Sequence, residues 1–533
     1  MDNLQDNVLG ATDEVPANME VISSVLEPII ITDTHARWVL RNEGILSRDS
    51  CIQFQVALDN PAQDKQGFLP VGAGIWSLLH SATLSVGGKR VNHTDGCGYW
   101  KSMTSAYDTP SYRNNKKRIL EGQQSVLEPT AIAPTMNAGG MFSLASSNVE
   151  TETTPGSLGV VSLDYQSALR SDESLTPCFT VKLADLFNIL WDVEMPLFLL
   201  ASNQEVAIDL RLNQQVGGDN SNGKGNGVLC CFLPSNALPA GQQSGACHLV
   251  KSSCVLYQDT IYYSNERMEL EAEKVNADKG SYLVYSDVIS NVASHPQNSQ
   301  AAPLSATAMT INQKTDLIPL SGFRAKNLFW AETVNDYTSS KGTGHEVLPA
   351  NQPVYYNSLL GVYALLAYHA NNTWDLRVND VLSFPTPITS QSVKAAEAEN
   401  CYGSPVWLNQ ALWSWNPNTD KVNDHPENPR AKLLPDRGDY PLWGSGSTPG
   451  WLALDALTGA QSFAAVNLSH GWGNENDDYV LIGQKPIEVM HSSMPVNSLS
   501  NYNRTCRYYS EVVKGFGIKG GKVDIQQGPA VAY

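Results

Sequence analysis

The sequence has no uninterrupted apolar run near the ~18 residues that a membrane-crossing helix needs, so a soluble protein is expected. Its opening stretch, residues 1–21, is acidic and polar and shows no basic segment leading into an apolar one. No secretory signal is read there, and an intracellular product is expected. Basic charge is scarce: 35 Lys and Arg stand against 53 Asp and Glu, and the resulting net charge of −18 repels phosphate. Direct nucleic-acid binding is therefore not expected. The nine Cys (Cys51, Cys97, Cys178, Cys230, Cys231, Cys247, Cys254, Cys401 and Cys506) form no CxxC pair, which leaves buried, reduced thiols as the expectation. The nucleophile elbow GxSxG and the zinc-protease pair HExxH are both missing, and His345-Glu346 stands by itself. Four Asn-x-Ser/Thr sequons, starting at Asn92, Asn371, Asn467 and Asn503, read as chance matches without a secretory route.

What is present is the composition of a packed globular protein, 42% hydrophobic and 17% charged. A chain of 533 residues exceeds the ~250–300 at which one core stops growing, so two domains are expected. Two-residue alternation dominates. Ile52, Phe54, Val56 and Leu58 point one way and Gln53, Gln55 and Ala57 the other; Val206, Ile208, Leu210 and Leu212 alternate with Glu205, Ala207, Asp209 and Arg211. Helical patterns are confined to Gly98–Tyr107, Asn265–Val275 and Ser390–Asn400. Long stretches rich in Gly, Ser, Asn and Pro, at residues 128–159, 214–243 and 403–450, read as loops. The fold class is mainly β with long inter-strand loops and a few short helices.

The sequence also echoes itself. Gly74-Ile-Trp-Ser-Leu-Leu79 is matched by Gly361-Val-Tyr-Ala-Leu-Leu366, and each copy precedes a hairpin-like pattern, Leu84-Ser-Val-Gly-Gly88 and Leu376-Arg-Val-Asn-Asp380. Both turns carry residues that accept positive φ. Cys254, Tyr257, Asp259 and Ile261 then share their spacing with Cys506, Tyr509, Glu511 and Val513. Two echoes in the same order predict two homologous β-modules, with Leu84 equivalent to Leu376 and Cys254 to Cys506.

Near-motifs of chemistry fall short of their structural requirements. Gly218-x4-Gly223-Lys224 is followed by Gly225 in place of the magnesium-holding hydroxyl. Gly515-x-Gly517-x-x-Gly520 lacks the downstream helix and acid of a dinucleotide site, and is read as a glycine-relaxed strand, Val512–Ile525, with Lys514, Lys519 and Lys522 as solvated charges. His93 with Cys97, and Cys247 with His248, offer metal-type atoms without four-ligand spacing. Glu475–Asp478 lacks the spacing of a calcium loop. Lys116-Lys117-Arg118 is read as a solvated face, or as a contact with an acidic neighbour. Trp407, Trp413, Trp415, Trp443 and Trp451 cluster in one loop and read either as buried interface aromatics or as a sugar platform. No catalytic, cofactor or metal residue is assigned.

Three stretches resemble the double jelly-roll major capsid proteins of large eukaryotic DNA viruses, virophages and polinton-like viruses. Met195-Pro-Leu-Phe-Leu-Leu200 followed by Asn203-Gln-Glu-Val206 is similar to the family's proline-led apolar stretch and polar strand; Asn203 and Gln204 stand where the family often has Tyr and His. Ser264-Asn-Glu-Arg267 is similar to its acidic junction signature, without the first acid, and Asn501-Tyr-Asn503 to its closing turn. The resemblance implies two tandem eight-stranded jelly rolls: an N-terminal arm at 1–20, a first jelly roll at 21–264, a helical linker at 265–280 and a second jelly roll with a C-terminal tail at 281–533. It further implies a non-catalytic capsid subunit with no cofactor, a homotrimeric, pseudo-hexagonal capsomer tiling an icosahedral shell, assembled inside the host cell. Its partners would be itself, neighbouring capsomers, penton and minor capsid proteins. The alternative reading is a carbohydrate-binding or carbohydrate-active β-sandwich, resting on the Trp-rich loop and surplus carboxylates.

Overall fold

The computed structural model describes residues 19–58, 66–68, 74–104, 116–123, 168–192, 194–213, 215–216, 231–232, 245–277, 280–295, 312–334, 373–388, 391–402, 464–468, 479–493 and 504–527. The 361–366 echo, the 218–224 and 475–478 near-motifs and the five loop Trp residues lie outside them.

Alternation becomes strand throughout. In the first module the main strands are β1 (Glu20–Leu26), β2 (His35–Val39), β3 (Ile45–Leu46), β4 (Cys51–Leu58), β5 (Leu79–Val86), β6 (Lys89–Asp95), β7 (Cys178–Lys182), β8 (Val206–Leu212), β9 (Gly245–Leu249) and β10 (Val255–Tyr262). Two layers face each other across a core. One has β10 between β1 and β4, with β3 beside β10 and with β7 and β9 paired to β4; the other runs β2–β8–β5–β6, and every pairing is antiparallel. Ile52, Phe54 and Val56 from β4 and Val206, Ile208 and Leu210 from β8 are fully buried between the layers, as their period-two spacing requires.

The second module repeats this order. Its main strands are β11 (Ser281–His295), β12 (Asn312–Ile318), β13 (Arg324–Val334), β14 (Thr373–Val378), β15 (Val381–Leu382), β16 (Ala464–Asn467), β17 (Ile487–Ser493), β18 (Arg504–Lys519) and β19 (Lys522–Gln527). One layer is β11–β18–β13–β16 with β19 added to β18; the other is β12–β17–β14–β15. Strand by strand, β11, β18, β13 and β16 stand where β1, β10, β4 and β7 stand, and β12, β17, β14 and β15 match β2, β8, β5 and β6. Each module thus has two facing layers, each built on the same order of four strands, with jelly-roll connectivity.

Where both copies are described, the echoes fall on or beside matching elements. Leu84 and Leu376 lie two residues before the end of their strands, and the turns that follow, Gly87-Gly88 and Asn379-Asp380, both have positive φ at both central positions. That is the hairpin geometry whose twist suits the flanking strands. Cys506 lies in β18 and Cys254 immediately before its counterpart β10.

Three expectations need correction. Gly74–Leu78 is a 3-10 helix leading into β5, not a β-element, because Gly74 has φ +56° and a Cβ there would meet the Glu121 carbonyl oxygen at 2.1 Å. The stretch 512–525 is a hairpin of β18 and β19 around Gly520-Gly521, both at positive φ, not one strand. Lys117 is buried, and only Lys116 of the basic cluster is exposed, because the short helix Arg118–Glu121 packs its N-terminal side against the first module.

Helices form where sequence patterning placed them: α1 (Cys97–Thr104), α2 (Asn265–Ala277) and α3 (Gln391–Tyr402). Helix α2 follows β10 directly, and β11 begins after Gly280, whose φ of +97° turns the chain. Met268, Ala272 and Val275 form its apolar face against the first core, while Leu270 is exposed. The first core also takes in Leu283, Tyr285, Phe516, Ile518 and Val523 from the second half, whereas a separate core around Trp330, Trp374, Leu376, Val489 and Val512 fills the second module.

Candidate functional site

The members of the metal-type pairs seen in the sequence turn to separate partners. His93 Nδ1 lies 2.8 Å from the Thr83 hydroxyl, while the Cys97 thiol turns to the Thr94 carbonyl oxygen at 3.5 Å. The Cys247 thiol faces the Asn213 carbonyl oxygen at 3.4 Å, and His248 Nε2 lies 3.2 Å from Glu173. The glycine fingerprint has a packing explanation instead: a Cβ on Gly515 would sit 1.7 Å from the Tyr282 hydroxyl oxygen, so only glycine lets β11 lay that ring across β18.

Two arrangements that local patterning does not reveal dominate the chemistry of the described residues. The first is the seam between modules, where β6 meets β11. The Tyr285 hydroxyl donates to the Val91 carbonyl oxygen at 2.8 Å. Asn92 donates through Nδ2 to Asp287 at 2.6 Å and accepts from the Ile189 amide at 3.2 Å. The second Asp287 oxygen accepts from the Lys514 ammonium, and Asn92, Asp287 and Lys514 are all at most 6% exposed. Lys514, read from sequence as a solvated charge, is therefore a buried member of an ion pair, because the neighbouring module covers its side of β18. Burial also pushes the Tyr285 phenol well above its usual range.

Further along the seam, Trp100 of α1 packs edge-on against Phe329 at 5.2 Å between ring centres and lies 5.6 Å from Tyr509. The Tyr509 hydroxyl donates to the Gly96 carbonyl oxygen at 3.1 Å, and the Arg507 guanidinium lies 4.6 Å from the centre of the Tyr99 ring. At the other end Lys89 donates to the Val523 carbonyl oxygen at 2.8 Å and the Ala201 amide to that of Gly521 at 2.9 Å. The hydrogen-bonded polar groups within this apolar seam favour one register of the two modules, since each of these groups left unmatched would cost about 1–3 kcal/mol.

The second arrangement lies inside the second module. Asp316 of β12 and His491 of β17 come from one layer, and His295 of β11, Cys506 and Tyr508 of β18 from the other. His295 Nε2 lies 2.9 and 2.7 Å from the two Asp316 oxygens, and the Tyr508 hydroxyl also donates to Asp316. His491 Nε2 is 2.7 Å from the Tyr508 oxygen and 3.5 Å from Asp316 Oδ2. Trp330 and Trp374 pack edge to face at 5.0 Å beside the group. Burial pulls the Asp316 carboxyl upward, but the hydrogen bonds from His295, His491 and Tyr508 outweigh it and hold that group far below the usual carboxylate range. Burial likewise pushes the Tyr508 phenol well above its ordinary value.

No protein-family model matches the sequence, and no curated protein matches it. Solved structures do. The chain is similar to VP54 of the virus PBCV-1, fitted into a reconstruction of the virophage Sputnik, at 11% identity and a TM-score of 0.51 over 97% of this chain and 99% of that one. A chain of the PBCV-1 virus capsid aligns at 10% identity and a TM-score of 0.50 over 97% of this chain and 99% of that one. A chain of the Sputnik virophage aligns at 12% identity and a TM-score of 0.51 over 98% of this chain and 92% of that one. With two facing layers built on the same four-strand orders occurring twice, the chain has the double jelly-roll fold of viral capsid proteins.

Proposed function

We propose that this chain is a major capsid protein: a non-catalytic subunit that forms homotrimeric, pseudo-hexagonal capsomers and tiles an icosahedral virion shell. The observation that carries the reading is the rigid duplication itself. Two like-ordered jelly rolls are locked side by side through the buried Asn92–Asp287–Lys514 group and the Trp100–Phe329–Tyr509 aromatic seam. A rigid pair of similar modules is a building block in which three copies offer six nearly equivalent edges, and a heterologous contact that closes after three copies covers both flanks of each pair. The similarity to capsid chains of PBCV-1 supports the same reading.

The division that fits this role is an arm at 1–20, a first jelly roll at 21–264, a linker at 265–280 built on α2, and a second jelly roll at 281–533. Partners would be further copies of the chain together with penton and minor capsid proteins, and the net charge of −18 disfavours direct contact with the genome. Size-exclusion chromatography with light scattering, followed by electron microscopy of the purified protein, tests the proposal. Trimers with a hexagonal outline are expected. A monomer of 58.0 kDa at micromolar concentration and neutral pH would refute it and favour the carbohydrate-binding sandwich.

A further inference from the structure

We propose that Asp316, His491 and Cys506 form a transition-metal site, with zinc as the ion the donor set favours, stapling the two layers of the second jelly roll. The proposal is independent of the capsid reading. One carboxylate oxygen, one imidazole nitrogen and one sulfur lie within 4.8 Å of one another. Three atoms so placed stand no more than about 2.8 Å from a common centre, and zinc bonds to O, N and S are ~2.0–2.3 Å, so closure by roughly half an ångström per ligand completes the contacts. A mixed oxygen, nitrogen and sulfur set suits zinc better than calcium or magnesium, which take oxygen ligands.

The surroundings are those of a metal centre. Cys506 is fully buried and Asp316 is 9% exposed. His295 Nε2 holds the Asp316 carboxylate from the side, the kind of second hydrogen bond that orients a ligating group. The Tyr508 hydroxyl is hydrogen-bonded to both Asp316 and His491, so it or a water would supply the fourth ligand. Trp330 and Trp374 close the apolar side. Asp316, His491 and Cys506 are the one group of three metal-type side chains found among the described residues, and Cys254 of the first module belongs to none.

On binding, the Cys506 thiol proton leaves to the buffer as the sulfur–metal bond forms, and His491 binds through the lone pair of Nε2 as a neutral ring whose single proton sits on Nδ1. No redox change is involved. Because Asp316 and His491 belong to one layer and Cys506 to the other, the bonds would run across the core and oppose separation of the layers.

The test uses the full chain, stripped with a chelator and titrated with zinc and with cobalt. A single ion per chain is expected, with a thiolate-to-cobalt absorption band in the near ultraviolet and a higher melting temperature with zinc. C506S should lose that band and C254S should keep it, with circular dichroism showing that both remain folded. H295Q should bind zinc about 10–100-fold more weakly without losing the band. No stoichiometric uptake by the wild-type chain, or equal uptake and an unchanged band in C506S, would overturn the proposal and leave a metal-free hydrogen-bond network.

Discussion

The seam between the jelly rolls makes a sharp demand on Asp287. Its carboxylate, in β11, accepts from Asn92 of the first module and from Lys514 on the neighbouring strand, and the two charged side chains are 4% and 8% exposed. Asp287→Asn keeps an acceptor for Asn92 but leaves an ammonium group buried without its counter-charge. Removing one partner of such a buried pair costs about 3–5 kcal/mol, whereas removing both can be neutral or even stabilising. D287N and K514M should therefore each lower stability by about 3 kcal/mol or more, and the double variant D287N/K514M should fall within about 2 kcal/mol of the parent, a coupling energy of about 4 kcal/mol or more that lies above the usual neighbour effects. Urea unfolding of the full-length protein, followed by tryptophan fluorescence and far-ultraviolet circular dichroism, gives the four corners of the cycle. A chain with two cores can unfold in more than one step, so the comparison rests on the transition that shifts. If the two single effects simply add in the double variant, or if each is under about 1 kcal/mol, the seam does not hold a desolvated ion pair and the argument for a rigid module pair fails.

Gly515→Ala should destabilise the second module by about 1–3 kcal/mol, since the new Cβ would overlap the Tyr282 hydroxyl oxygen at 1.7 Å, while Gly517→Ala, whose nearest contact would be 3.7 Å, should cost far less; equal melting shifts would contradict the packing described. Burial pushes the Cys97 and Cys254 thiols up to about 12, so neither should react with iodoacetamide at pH 8 in the folded protein and both should react in urea; rapid native labelling of either, mapped by mass spectrometry, would contradict their burial. Burial pulls the Asp185 carboxyl upward, but Lys101 at 2.8 Å and Lys117 outweigh it and hold that group below its usual range. A lowered folded-state value means stability that is present above the unfolded carboxylate value of ~3.9 and lost as pH falls through the folded one, so D185N should be less stable than the parent at neutral pH and lose less on acidification below about pH 4. Parallel stability curves for D185N and the parent would refute that assignment.

Much of the fold was legible in the sequence because the signals that specify a strand are local. Side chains alternate across a pleated strand, so Ile52, Phe54 and Val56, or Val206, Ile208 and Leu210, declare a buried face without reference to any partner. Turn chemistry is local as well: Gly87-Gly88 and Asn379-Asp380 accept positive φ wherever they stand, which is why the turns downstream of the first echo landed on matching hairpins. The first echo misled in part, since the apolar run after Gly74 looks the same whether it continues a strand or winds into a 3-10 turn.

The polar interior was legible nowhere, and the reason is the distance in sequence over which it is assembled. Lys514 reads as a surface charge because its neighbours in the chain say nothing about the module packed over β18, yet Asp287 and Asn92 reach it from 227 positions and further upstream. Asp316, His491 and Cys506 obey no spacing rule, because two layers folded against each other bring them within 4.8 Å. Period-two patterning by itself determined that the chain forms strands and which face of most of them is buried. Which charge is desolvated, which carboxylate meets which histidine, and that the two jelly rolls stand locked together were decided only by the tertiary structure, since burial and electrostatic pairing depend on contacts that no local pattern encodes.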